Sequence, residues 1–206
     1  MKKSLVAVLM VLSLLSSANA SEKTGCVLAQ SGDVEVSWIG YKTPKKVGVG
    51  GVFDKVAYTP ATKEGENFRT ILVGSSVVID SSSVNSKHAD RDAKLAKFFF
   101  GMMKEKNINA KIVDIKADKK VKDAPRTGVV DVEIEMNGVK KVVPMTYSFA
   151  NEIFEAKGSI DILDFQANSA LKGINEACFD LHDGKTWSEA GIGFKMKILA
   201  TLCNTK

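Results

Sequence analysis

The side chains able to do chemistry are few in this chain and widely spaced. Its two histidines, His88 and His182, both sit in polar, loop-like sequence. A histidine-based zinc site needs more ligands than these spacings supply. Arg91 and Asp92 are adjacent, and Arg91 is one of three arginines, with Arg69 and Arg126. Its guanidinium could pair locally, with Asp90 or an acid such as Asp180, or offer its fork of donors to a polar or anionic head group. Asp161 and Asp164 could form a carboxylate pair or cap the turn ahead of a helix. No G-x-S-x-G elbow, P-loop or Rossmann glycine pattern occurs. Gly48-Val49-Gly50-Gly51 is glycine-rich but lies in a strand pattern, where it suggests a bulge or strong bend rather than a phosphate cradle. These residues assemble no catalytic constellation and no metal site, and none calls for a cofactor. The expectation is a protein that is not an enzyme.

The elements around these residues are mostly strands. Asp80 to Met103 is the one long piece that does not read as a strand. Leu95, Phe98, Phe99, Met102 and Met103 recur at helical spacing and so share one face. Asp90 is a fair N-cap, and Asp92 falls in the first turn, where negative charge suits the helix dipole. That apolar face either packs on a sheet as core or lines an apolar cavity. A second helix is expected from about Ser169 to Cys178. Elsewhere the period is two. Val34, Val36 and Trp38 alternate with polar residues. Val47 to Tyr58 reads as a second strand, Arg69 to Asp80 as a third and Asn109 to Ala117 as a fourth. Val130 to Met136 and Val139 to Phe149 flank Asn137-Gly138, the strongest short hairpin signal, with Pro144 marking an edge or bulge position. Phe154 to Ile160 and Ile192 to Leu202 complete the set. The fold class is therefore all-β and antiparallel, with roughly eight strands and two short helices. Closing such a sheet into a barrel removes its edges and leaves an interior that either packs its own side chains or holds one slender ligand.

The ends of the chain bear on location. Lys2 and Lys3, an apolar run from Leu5 to Leu15 and Ala18-Asn19-Ala20 have the order of a cleaved secretory signal over residues 1–20. The run is about half the length a spanning helix needs. Residues 21–206 then form a single domain, periplasmic or secreted. Net charge is +5, or +3 without Lys2 and Lys3, and the lysines are scattered, which speaks against nucleic acid as a partner. An exported chain permits disulfides. Cys26 and Cys203 lie near the two ends and could meet if first and last strands are neighbours, leaving Cys178 unpaired.

Read together, these pieces resemble the YceI-like family of exported, lipocalin-like proteins that bind polyisoprenoids or related long-chain lipids. The resemblance is carried by Trp38-Ile39-Gly40-Tyr41, Lys46 to Phe53, Ile79-Asp80 with Ser83-Val84, and Arg91-Asp92-Ala93-Lys94-Leu95 running into Phe98-Phe99. It continues in Asn137 to Lys141, Gly158-Ser159-Ile160-Asp161 with Asp164-Phe165, and Trp187-Ser188. The chain departs from the family at Lys94, where histidine is common, at Gln166 in place of glycine, and in lacking a His-Ser pair near Val34. These departures fall on head-group chemistry rather than on the fold.

The resemblance implies a lipocalin-like barrel whose tunnel holds a long-chain lipid (a polyisoprenoid, an isoprenoid quinone or a fatty-acid derivative) for transport, storage or scavenging. It implies no cofactor other than that ligand, no stable membrane insertion, and a homodimer. The tunnel would be lined by Trp38, Phe53, Val77, Phe98, Phe99, Ile134, Phe154, Phe165, Phe194 and Met196, with Arg91 and Asp92 as head-group candidates. Two other readings stay open: a secreted interaction protein whose barrel is filled by its own side chains, and a lipid hydrolase using Asp161 or Asp164.

Overall fold

The computed structural model describes residues 27–201. The expected signal segment and the proposed Cys26–Cys203 pair lie outside them. Eleven strands form one antiparallel sheet: β1 (Val27–Lys42), β2 (Val47–Phe53), β3 (Val56–Thr59), β4 (Glu64–Gly65), β5 (Ser76–Asp80), β6 (Val84–Asn85), β7 (Asn107–Ala117), β8 (Arg126–Met136), β9 (Val139–Ala150), β10 (Ile153–Asp161) and β11 (Thr186–Thr201). Their order is β3-β5-β7-β8-β9-β10-β11-β1-β2-β6, with β4 also on β1. Most expected strands recur in this set, and β4 and β6 are short additions of two residues each. The expected strand from Val47 to Tyr58 is divided: β2 pairs with β1, whereas the chain turns after Phe53 and β3 pairs with β5. The hydrogen-bonded path starts at β3 and stops at β6, so the barrel is curled but incomplete.

The β8–β9 hairpin turns where the sequence predicts. Asn137 and Gly138 both have positive φ, 53° and 75°, as a primed two-residue turn demands. The buried Asn137 side chain accepts from the Lys104 backbone and donates to the Phe165 carbonyl, at 2.9 and 3.0 Å. That fixes two connecting segments to the hairpin. Pro144 stands beyond Thr146, where the ladder from β9 to β10 ends, so its missing N–H costs no bond on that side.

Three more expectations change. Arg69 to Asp80 is not one strand. Phe68–Leu72 is a short helix, α1, before β5 begins. The Asn67 side chain accepts from Thr70 N and caps it, and Phe68, Ile71 and Leu72 share its buried face. An apolar run this short reads as strand or helix alike. The glycines of β2 make no bulge, because β2 keeps unbroken register with β1 from Ser37↔Val52 to Lys42↔Val47. At Gly51 a Cβ would lie 2.4 Å from the Asn85 carbonyl oxygen and 2.8 Å from the Trp38 ring, so close approach explains that glycine. Register shifts fall in the pairing of β1 with β11 instead, one between Ser31 and Glu35, next to Gly32 at φ +74°, and one between Gly40 and Lys42.

The third change concerns the long helix. α2 (Ala89–Phe98) is capped by His88, whose Nδ1 accepts from Arg91 N, and not by Asp90. The chain then tightens into a 3-10 turn over Phe100–Met102. The change of pitch splits the apolar face expected of Leu95 through Met103. α3 (Asn168–Ala177) packs against the end of α2. Gly173 allows this, since a Cβ there would meet the Phe98 carbonyl oxygen at 2.5 Å.

Part of the interior is filled. Phe154 is fully buried, stacked on Tyr147 at 4.8 Å and near-parallel to Phe194 at 6.0 Å. Phe68 of α1 meets Tyr147, Phe149 and Phe154 edge-on at 5.0 to 6.0 Å. Aromatic pairs of this geometry add to the burial of their large apolar areas. Replacing Phe154 with alanine should therefore lower unfolding free energy by about 3–5 kcal/mol, read from urea midpoints.

Candidate functional site

The rest of the interior is hollow. The cavity has a volume of about 550 Å³ and is walled mainly by apolar side chains of the sheet and of α2. Of the expected lining residues, Trp38 and Phe53 reach it from β1 and β2, and Val77 and Ile134 from β5 and β8. Phe194 and Met196 reach it from β11, and Phe99 from the end of α2. The other three lie elsewhere. Phe154 belongs to the aromatic cluster, and Phe165 is buried in the core beside Asn137. Phe98 carries Lys97 over its ring, and its backbone carbonyl faces Gly173 of α3. Leu95 and Phe100 line the cavity in its place.

The head-group candidates have local partners. Arg91 donates through Nε to Ser86 Oγ at 2.7 Å and through Nη2 to the Ser86 carbonyl at 2.9 Å. Asp92 accepts from the Ser86 backbone at 2.9 Å and from its hydroxyl. The pair thus ties the segment ahead of α2 to the helix itself. Arg91 also borders the cavity. Asp161 accepts from Leu163 N at 2.9 Å and from Ser188 Oγ at 3.0 Å, the geometry of a cap on the turn Ile162–Phe165. It is not paired with Asp164. Among the described residues no group of three metal-ligating side chains occurs.

Polar groups reach the cavity in two places. On one wall the Tyr58 hydroxyl donates to Gln30 Oε1, and Gln30 Nε2 donates to the Ile71 carbonyl at 2.7 Å. Burial pushes the Tyr58 phenol up from its ordinary value, opposed by bonds with Ser75 and Gln30. The second place is a rim built from three elements. Lys42 ends β1 opposite Thr186 of β11. The Thr186 hydroxyl lies 2.7 Å from His182 Nδ1 in the turn after α3. Lys94 comes from α2. Burial holds His182 below the usual imidazole range, and the positive charges of Lys42 and Lys94 push the same way. Exposed His88, Asp90, Leu181 and Glu189 line the same cavity and mark its opening. Glu189 is held by Lys46 at 2.7 Å.

Sequence spacing does not single out Lys42 or Tyr58 as site residues; Lys94 stands out only as a departure from the family pattern, and His182 only as a histidine in loop-like sequence. They meet only through strand register and helix docking.

Residues 31–197 match the family model of the YceI-like domain. A search of curated proteins finds no match. A polyisoprenoid binding domain from Saccharophagus degradans, implicated in plant cell wall breakdown, is similar in structure, with TM-score 0.56 and 13% identity over 84% of this chain and 98% of that one. BcnA of Burkholderia cenocepacia is similar with TM-score 0.55 and 14% identity, over 81% of this chain and 96% of that one. At such identities the likeness shows a shared fold.

Because Arg91 serves Ser86 in this geometry, Arg91→Ala should cost about 1–3 kcal/mol of stability by leaving a buried carbonyl without its donor. Arg91→Lys should not restore it, since an ammonium cannot fork to hydroxyl and carbonyl together. Urea unfolding of both variants checks this.

Proposed function

This chain belongs to the YceI-like family, and from that membership and its hollow interior we propose that it is an exported carrier of a long-chain lipid. The observation that carries the reading is the apolar cavity of about 550 Å³ inside the curled sheet. Its size is that of a ligand pocket, and its polar groups are few and confined to defined places. Each methylene moved from water into such a space gains roughly 0.8 kcal/mol. A chain of about sixteen carbons then binds tightly with one or two polar anchors, which accounts for a binder without a conspicuous motif.

Two further observations agree with this reading. The Saccharophagus degradans domain of the same fold is a polyisoprenoid binder by its description. The segment from Lys2 to Ala20 has the order of an export signal, and among the described residues no helix is long and apolar enough to cross a membrane. A carrier function also suits side chains that do no chemistry. Asp161, the strongest carboxylate candidate, is occupied as a cap.

Protein expressed with its leader and purified without detergent should yield a stoichiometric long-chain species on extraction and mass spectrometry. Phe194→Asp, which places a charge in the cavity wall, should abolish loading. Lys197→Asp, on the outer face of the same strand where Lys197 meets Glu152 at 3.2 Å, should leave loading unchanged. Ala190→Trp guards against a folding defect in the first variant, because it fills the cavity with apolar bulk. A clean extract from wild-type protein, or equal loading of all variants, would overturn the carrier reading.

A further inference from the structure

The rim of the cavity carries two lysines that are less exposed than the others. Among the described residues every lysine is exposed except Lys42 and Lys94, which are half-buried. Both line the cavity. Neither has a carboxylate within 4.0 Å among the described residues, whereas eight exposed lysines do: Lys46, Lys55, Lys116, Lys140, Lys157, Lys172, Lys195 and Lys197. Ordinary proteins keep lysine exposed or paired. A lysine whose stem lies along apolar surface with no carboxylate beside it keeps its ammonium free for another anion. Here two such groups flank one imidazole, His182, at the edge of a space walled by apolar side chains.

The surroundings leave this charge uncompensated. Glu189 is engaged by Lys46, and Asp90 is exposed in the first turn of α2. Asp180 and Asp183, in the same turn as His182, are exposed and do not line the cavity. Arg91 is engaged by Ser86. At the rim formed by β1, α2 and the turn after α3, the donors without a carboxylate are therefore the two ammonium groups, with the His182 ring beside them and its Nδ1 tied to Thr186. Lys111 also lines the cavity, but it is exposed and belongs to β7.

We propose that Lys42 and Lys94 select amphiphiles with an anionic head, a carboxylate or a phosphate, over neutral amphiphiles of the same chain length. This rests on the lipid-cavity reading above and adds the class of ligand. The acyl or isoprenoid chain lies among Trp38, Phe99, Phe194 and Met196. The head stops at the rim, where it supplies the missing counter-charge through charge-assisted hydrogen bonds.

The test uses delipidated full-length mature protein and displacement of a fluorescent apolar probe by hexadecanoate, hexadecyl phosphate and hexadecan-1-ol. The two anions should bind at least tenfold more tightly than the alcohol, which corresponds to about 1.4 kcal/mol. The double variant Lys42→Gln, Lys94→Gln should bring the anions to the level of the alcohol and leave the alcohol unchanged, which also certifies its fold. Hexadecanoate, and not the alcohol, should move the His182 titration upward by nuclear magnetic resonance. An added anion offsets the repulsion from Lys42 and Lys94, the charged groups acting on that ring from β1 and α2.

Equal affinity for acid and alcohol in the wild type, or a preference that survives the double variant, would overturn the proposal while leaving the carrier intact. Tight binding of inorganic phosphate, with no gain from an attached chain, would assign the cluster to a free anion and overturn it as well. Failure of every amphiphile to displace the probe would instead overturn the carrier reading on which the proposal rests.

Discussion

The structure depends on one ladder, the pairing of β11 with β1. It joins the last strand of the described chain to the first, from Val27↔Thr201 to Lys42↔Thr186. β11 is paired on its other side with β10, so it is the strand through which the β7–β10 meander meets the β1–β2 hairpin. Without that pairing the two parts would be separate sheets, each with an exposed apolar face. With it, the sheet must curl, because twisted strands of this length cannot lie flat. The curl makes an inside. The far end of the same ladder places Lys42 beside Thr186, and so beside His182. The fold and the rim of the cavity are two consequences of one ladder, whose shift between Gly40 and Lys42 sets Lys42 opposite Thr186.

Alternating sequence alone does not decide whether a small barrel is filled or hollow, and this one is both. One part is closed by aromatics, with Phe68 of α1 wedged against Tyr147, Phe149 and Phe154. In the other part the wall carries Val, Ile and Met from the strands, and α2 stands over it without inserting. Phe100 packs edge-on against Phe53 at 5.7 Å and against Phe99 at 5.0 Å, and both help to wall that space instead of filling it. The 3-10 turn after Phe99 matters here. A continuous helix would have kept Met102 on the face of Leu95 and Phe99, whereas the tighter pitch leaves it exposed beside Gly173 of α3.

The legible part of the chain is the part governed by local periodicity. The strand pattern, the Asn137-Gly138 turn and the second helix are properties of short windows, and the structure agrees with them. Seven of ten cavity residues follow from inward alternation combined with the family resemblance. The misplaced ones have separate causes. Phe154 faces inward as its strand pattern requires, but inward there means core, a distinction that depends on which neighbours fill the space. Phe165 is buried from the turn Ile162–Phe165, outside any strand pattern. From α2 and its C-cap the cavity takes Leu95 and Phe99, one turn apart, and not Phe98. Arg91 and Asp92 were noticeable as a charged pair before an apolar face, yet their partner is Ser86, five and six positions earlier. The rim was illegible for a stronger reason. Lys42, Lys94 and His182 are far apart in sequence, each sits in a polar stretch, and nothing in any one window separates them from the solvated lysines.

The distribution of charge over the surface argues that the rim is more than leftover solvation. Exposed ion pairs such as Lys195 with Glu35 or Lys157 with Glu155 contribute little, because water screens them. They keep the outer faces of β1, β10 and β11 soluble and can be placed almost anywhere. Lys42 and Lys94 are set apart by place instead: both line the cavity, neither has a carboxylate within 4.0 Å among the described residues, and both bear on the His182 ring, which the Thr186 hydroxyl holds. Glutamine at either position would serve equally if the rim had only to meet solvent. A ligand that brings a negative head supplies the partner these lysines lack while its chain covers the apolar wall, so head and chain stabilise the loaded state by independent terms.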